Sequence, residues 1–111
     1  MFIITNASIR NNITISITYI QRKQKVITKL AHHATNVNFM KAELFTIRYR
    51  INHAMQLQDI SHIIVIIDTI SLTKEIFDIF IHLYQLHSIV VSKDLKIFFN
   101  KNIDNIIKFL N

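Results

Sequence analysis

Only seven acidic residues occur in this chain of 111, and two of them sit where chemistry could be done. Asp68 ends the apolar run HIIVII, residues 62–67. In an open α/β sheet, ligands bind outside the carboxyl ends of the strands. Asn6 follows the apolar run of residues 2–4 and takes the same relative place on another strand. Glu43 falls in the first turn of a predicted helix, between Ala42 and Leu44. If the two strands are parallel neighbours, residues 6 and 68 lie side by side and Glu43 completes a cluster. Converging carboxylates hold hard divalent cations, which want oxygen ligands. Two such ions about 4 Å apart activate water and stabilise the leaving oxygen in phosphodiester hydrolysis. A plainer account uses the same positions. An Asp after a strand caps the turn or helix that follows, and the helix macrodipole favours a Glu in a first turn. Asp59, Glu75, Asp78, Asp94 and Asp104 read as solvated surface, in loops or on polar helix faces.

The elements that must position these residues follow from periodicity. ITISITYI, residues 13–20, alternates Ile with Thr and Ser, the signature of a half-buried strand. KVITKLAHH, residues 25–33, gives a third strand after the polar turn Gln21-Arg22-Lys23-Gln24. Short connections favour an antiparallel meander. Residues 41–57 change period. Leu44, Ile47, Ile51, Ala54 and Met55 recur at spacings of three and four, which predicts an amphipathic helix with Asn38 as N-cap. HIIVII is apolar throughout and suits a central strand covered on both faces. Ser71 and Thr73 open a second helix carrying Ile76, Phe77 and Phe80. A third helix fits residues 83–100, and a last strand fits residues 103–110. The order βββαβααβ predicts one α/β domain over residues 1–111, with no internal repeat or linker.

Composition narrows the function classes. Half the residues are apolar, so the chain is no disordered tail. Cysteine is absent, which excludes disulfides and thiolate metal sites. Apolar runs are too short to span a bilayer, and the N-terminus lacks the pattern of a secretory signal. The expectation is an intracellular protein without a membrane partner. A net charge of +6 suggests an anionic partner such as nucleic acid, although a solvated basic surface gives the same number. Arg10, Arg22, Lys23, Lys25 and Lys29 cluster around the first hairpins, and Lys41, Arg48 and Arg50 fall on the polar side of the first helix. Each set reads either as a patch tracking a phosphate backbone or as a solvated rim. The six histidines lack metal-site spacing and read as surface or half-buried groups. Phe77, Phe80, Phe98 and Phe99 fall at helical spacing and read as core. Gly and Pro are absent, and Ile makes up about a fifth of the chain. Ile, Asn, Lys and Phe all have codons of A and T alone, which points to a strongly A/T-biased gene.

KAELFTIRYRIN (residues 41–52), SHIIVIIDTISLTKEIFD (61–78) and HLYQLHSIVVSKDLKIFFN (82–100) resemble, in the same order, the ribonuclease H domain of retrotransposon polyproteins, particularly those abundant in fungal genomes. The opening FIITNAS resembles that family's first strand, whose motif is Thr-Asp-Gly/Ala-Ser. The likeness covers essentially the whole chain. It implies a ribonuclease H-like fold, with a five-stranded mixed sheet of order 3-2-1-4-5 and helices on both faces. It also implies endonucleolytic cleavage of the RNA strand of an RNA–DNA hybrid, with Mg²⁺ or Mn²⁺ held by acidic side chains. The family Glu falls on Glu43 and the strand-four Asp on Asp68.

Three departures accompany the resemblance. Asn6 stands at the strand-one Asp, offering a neutral carbonyl oxygen where the metals need a bridging charge. The fourth acidic residue belongs at the start of a final helix, beyond the last strand. With that strand at residues 103–110, the chain stops short of both. Phe39-Met40-Lys41 precedes Glu43, where many members place polar residues that contact the hybrid. The expectation is a truncated, decayed copy, a monomer or a piece of a larger polyprotein, with activity impaired or lost. Ser8, Arg10 and Lys41 are the expected nucleic-acid contacts. A non-catalytic, nucleic-acid-binding remnant of a retroelement is the alternative.

Overall fold

Alternating Ile and Thr in the first third of the chain build a β-meander, and the β-branched run at residues 62–67 builds its parallel neighbour. The computed structural model describes the backbone of residues 1–10, 13–22, 25–35, 39–103 and 105, and the side chains of residues 1–4, 40–103 and 105. Its elements are β1 (Phe2–Arg10), β2 (Ile13–Arg22), β3 (Lys25–Thr35), α1 (Phe39–Met55), β4 (His62–Ile67), a 3₁₀ turn (Ile70–Leu72), α2 (Thr73–Leu86) and β5 (Asp94–Phe99). The strands form one sheet in the order β3-β2-β1-β4-β5. β1–β2 and β2–β3 are antiparallel, while β1–β4 and β4–β5 are parallel. The expected α/β class holds. Among the described residues, no helix is long and apolar enough to cross a membrane.

The core sits between the sheet and the two helices. α1 contributes Ile47, Ile51, Ala54 and Met55, at the spacing that keeps one helical face inward. They meet Ile3 of β1, Ile63, Val65 and Ile67 of β4, and Ile76 and Leu83 of α2. Burial along β4 alternates, with Ile64 and Ile66 half-buried on its other face. Ile4 and Ile103 are also buried, outside this cluster. Asn38, the expected N-cap of α1, lies outside the described residues.

A buried lysine ties the lower end of the fold together. Lys93 donates from Nζ to the carbonyl of Leu57, at 2.6 Å, and to that of Ile60. These carbonyls belong to the connection between α1 and β4, so the link fixes that connection against the segment entering β5. Desolvation lowers the Lys93 pKa. The hydrogen bonds hold the ammonium where burial alone would favour its neutral form.

The C-terminal third departs from expectation. No helix runs over residues 83–100. α2 stops at Leu86, and His87 turns extended at φ −103°, ψ 144°. Ser88-Ile89-Val90-Val91-Ser92 then supplies β-branched residues and hydroxyls that favour leaving a helix. Residues 94–99 form the fifth strand, with Leu95 and Ile97 half-buried and Asp94, Lys96 and Phe98 exposed. The apparent helical spacing had joined a helix end, a loop and a strand. Phe77, Phe98 and Phe99 are accordingly exposed at the surface, and only Phe80 of the four aromatics lies half-buried, tilted against Tyr84. The last strand expected at residues 103–110 is also displaced, because Ile103 and Asn105 are helical. A final helical segment therefore follows β5, where none was expected. The rest of that range lies outside the described residues.

The period of two in β5 is testable by urea unfolding. Leu95→Asp and Ile97→Asp should each lower stability by about 2–4 kcal/mol, whereas Lys96→Asp should stay within about 0.5 kcal/mol. A helix would place residues 95 and 97 on different faces, so tolerance of either apolar substitution would count against the strand.

Candidate metal centre

α1 begins at Phe39, two residues earlier than its periodicity suggests, and its first turn holds no acidic residue. Glu43 therefore lies past that turn, and the macrodipole account of it fails. It belongs to the inward face of α1, with Ala42, Thr46 and Ile47, and is only 2% exposed. The Thr46 hydroxyl donates to the carbonyls of Ala42, at 2.7 Å, and of Glu43, at 3.1 Å. The Glu43 carboxylate gains nothing from these bonds. Among the described residues, its Oε2 is buried without a hydrogen-bond partner. Desolvation, followed by the charge of Asp68, raises the Glu43 pKa from 4.5 to about 7.

Asp68 leaves the carboxyl end of β4 and is half-buried. Its Oδ1 accepts a hydrogen bond from the Thr69 hydroxyl at 3.2 Å. It caps no helix. The N-cap of the 3₁₀ turn is Thr69 and that of α2 is Leu72, and neither end has a side-chain cap. The plainer accounts of both carboxylates thus lose their structural basis.

β1 extends to Arg10, so Asn6, Ser8 and Arg10 lie within the strand and not at its tip. Asn6 is paired across to Ile17 of β2. The parallel ladder with β4 is shorter, matching Phe2 with Ile64, Ile3 with Val65 and Ile4 with Ile66. Carried forward at the same offset, this register sets the backbone of Asn6 opposite Asp68, just beyond the ladder. The ladder ends two pairs before positions 6 and 68, so their adjacency follows only from extending the register. The side chains of Asn6, Ser8 and Arg10 lie outside the described residues, as does Asp104. Lys41 is exposed in the first turn of α1.

Arg50 corrects the expected polar face of α1. It is 6% exposed, its Nε is buried without a partner, and desolvation lowers its pKa. Its guanidinium carbon lies 5.7 Å from the centroid of the Tyr49 ring. A helical-wheel argument could have found it, since Arg50 lies one turn from Thr46 and Ile47 on one side and Ala54 on the other. The described histidines are surface or half-buried groups. His62 Nδ1 lies 2.7 Å from Asp94 Oδ1 at the solvent-exposed start of β4, and His87 Nε2 lies 2.7 Å from Asn52 Oδ1.

Among the described residues, no three His, Asp or Glu side chains come together as a metal site. Glu43 and Asp68 form a pair, and their chemistry suits a hard divalent cation. A buried carboxylate oxygen lacks a donor, and a second carboxylate is close enough to raise its pKa. A cation would answer both. No protein-family model matches the chain, and no curated protein matches it.

The carboxylate pair makes stability depend on pH in a defined direction. Glu43 titrates near 7 when folded and near 4.5 when unfolded, so between these values the folded state holds the extra proton. The linked stability is complete below about pH 4.5 and is lost as pH rises through about 7. Urea midpoints measured in EDTA should fall between pH 5 and pH 8. Glu43→Gln should remove this slope and raise stability at pH 8 by about 1–3 kcal/mol, because it replaces a buried unpartnered charge. An unchanged slope in the variant would assign the titration to another group.

Proposed function

We propose that this chain is a ribonuclease H-like domain, whose ancestral activity is hydrolysis of the RNA strand of an RNA–DNA hybrid with Mg²⁺ or Mn²⁺ as the cofactor. One observation carries this reading. Glu43 is buried with an unpartnered carboxylate oxygen, within electrostatic reach of Asp68 at the carboxyl end of β4. The strand order β3-β2-β1-β4-β5, with β1 parallel to β4, supports it. So do the residue patterns around Asn6, Glu43 and Asp68, which resemble those of retroelement ribonuclease H domains.

In this reading, Glu43 and Asp68 hold the cation, and Asn6 occupies the third ligand position. When bound, the metal supplies activation of water and stabilisation of the leaving oxygen at the scissile phosphodiester. Burial of Glu43 limits water around the pair and strengthens its electrostatics. Asn6 weakens the site because its amide brings no charge. Moving the last strand to residues 94–99 also changes the search for a fourth carboxylate. Asp104 follows that strand in sequence and is the candidate for it. Ser8, Arg10 and Lys41 remain the proposed contacts to the hybrid. The neutral Asn6 favours a second reading, in which the domain binds nucleic acid and no longer cleaves it.

Cleavage of an end-labelled hybrid separates the two. The natural chain should cut slowly or not at all. Asn6→Asp should raise the rate by on the order of 100-fold or more, since each 1.36 kcal/mol of restored transition-state stabilisation is worth about tenfold. Adding Asp68→Asn should abolish the gain. A second readout needs no turnover. Mn²⁺ added at pH 7 should displace the Glu43 proton, with release measurable by calorimetry in buffers of different ionisation enthalpy, and Glu43→Gln should remove it. Absence of both proton release and cleavage in Asn6→Asp would reject the metal centre. Proton release without cleavage would favour the binding remnant.

A further inference from the structure

The outward stripe of α1 is chemically unlike an ordinary solvated helix face. Lys41, Phe45, Arg48, Tyr49 and Asn52 follow one another at helical spacing, so cations and aromatic rings interleave along about 16 Å of helix. Phe45 is 58% exposed and Tyr49 51% exposed. The stripe forms one wall of a groove between α1 and α2, lined by Phe45, Arg48, Tyr49, Asn52, Leu83 and Leu86. Leu86 is 64% exposed in it. Among the described residues, no acidic side chain lines the groove, although acidic residues are present on α2 at Glu75 and Asp78. Asn52, the lining residue furthest along α1, is held by His87.

We propose that this groove binds single-stranded nucleic acid, with Phe45 and Tyr49 stacking against bases and Lys41 and Arg48 following the phosphates. Sequence-tolerant binding to single strands combines these two ingredients, a cationic track and exposed aromatic faces. A chain of net charge +6 adds long-range attraction for a polyanion. The inference deepens the nuclease reading and rests on it for direction. Lys41 lies two residues before Glu43 on the outward side of α1, just beyond the residues that line the groove, and would pass a displaced or product strand round the helix end into it. The groove itself uses neither carboxylate.

Fluorescence anisotropy with a labelled oligo(dT) tests the groove in EDTA, which silences any metal centre. The natural chain should bind, with log affinity falling linearly as log salt rises. Arg48→Glu should weaken binding by about tenfold or more and reduce the salt slope by about 1. Phe45→Ala and Tyr49→Ala should each weaken it about five- to tenfold while keeping the salt slope. Lys96→Ala, which removes an exposed cation of β5 outside the groove lining, should bind like the natural chain. Circular dichroism melts keep loss of binding distinct from loss of fold, because the substituted side chains are largely exposed. No binding by the folded natural chain at 50 mM salt, or groove variants that bind as it does, would overturn the proposal and leave the surface to a protein partner. Oligo(dT) binding that depends on the groove, with no proton release and no hybrid cleavage, would reject the metal centre and leave the groove standing.

Discussion

The rest of the structure depends on the parallel junction between β1 and β4. It joins the first residues of the chain to a strand some 60 residues later, through three matched pairs from Phe2–Ile64 to Ile4–Ile66. The Ile64 N–H extends the contact by donating to the Met1 carbonyl at 2.8 Å. β1 thereby belongs to both halves of the sheet, antiparallel to β2 on one side and parallel to β4 on the other. Ile3 and Val65 enter one core from this junction and give α1 a surface to cover. The short ladder matters as much as its presence. β1 continues to Arg10 beyond it, while β4 ends at Ile67. A ligand can enter a sheet of this kind only where strands part company.

α1 crosses that region with an inward face of two characters. Its second half supplies Ile47, Ile51, Ala54 and Met55, which dock the helix. Its first half buries Glu43 and Thr46, and Arg50 lies between the two apolar turns. Glu43 Oε2 and Arg50 Nε are both buried without partners. Neither placement favours the isolated fold. Burying polar atoms without hydrogen bonds costs free energy that the apolar residues must offset. Thr46 avoids this cost by returning its hydroxyl to the backbone, whereas Glu43 sheds only its charge by keeping its proton and leaves Oε2 without a partner among the described residues. Such unresolved groups concentrate where a protein meets something outside itself.

Much of this arrangement was legible in sequence because it rests on strong periodicity. β2 and β4 follow from alternation and from an unbroken β-branched run, and α1 follows from its Ile spacing. Glu43 and Asp68 stood out by their places within these elements. The full length of β1 was hidden, because the apolar run of residues 2–4 gives way to the polar Thr5, Asn6 and Ser8. Their pairing with β2 across the hairpin keeps them extended. β5 was hidden for another reason. It is an edge strand with only Leu95 and Ile97 turned inward, and nearby apolar residues completed a false helical spacing. Arg50 was misread because charge was allowed to outweigh its position on the wheel. The Lys93 link could not be seen at all, since backbone carbonyls carry no mark in a sequence.

The split sheet also imposes an order on synthesis. β1, β2 and β3 are contiguous in sequence, so their meander can assemble once the first 35 residues have left the ribosome. β4 must still emerge before β1 gains its second neighbour, and the Ile3 side of the meander has no cover until α1 arrives. Lys93 reaches the carbonyls of Leu57 and Ile60 later still, after β4 and α2 have emerged. A nascent chain therefore carries β1 with one edge unpaired until β4 emerges, the condition in which chaperones intercept growing polypeptides.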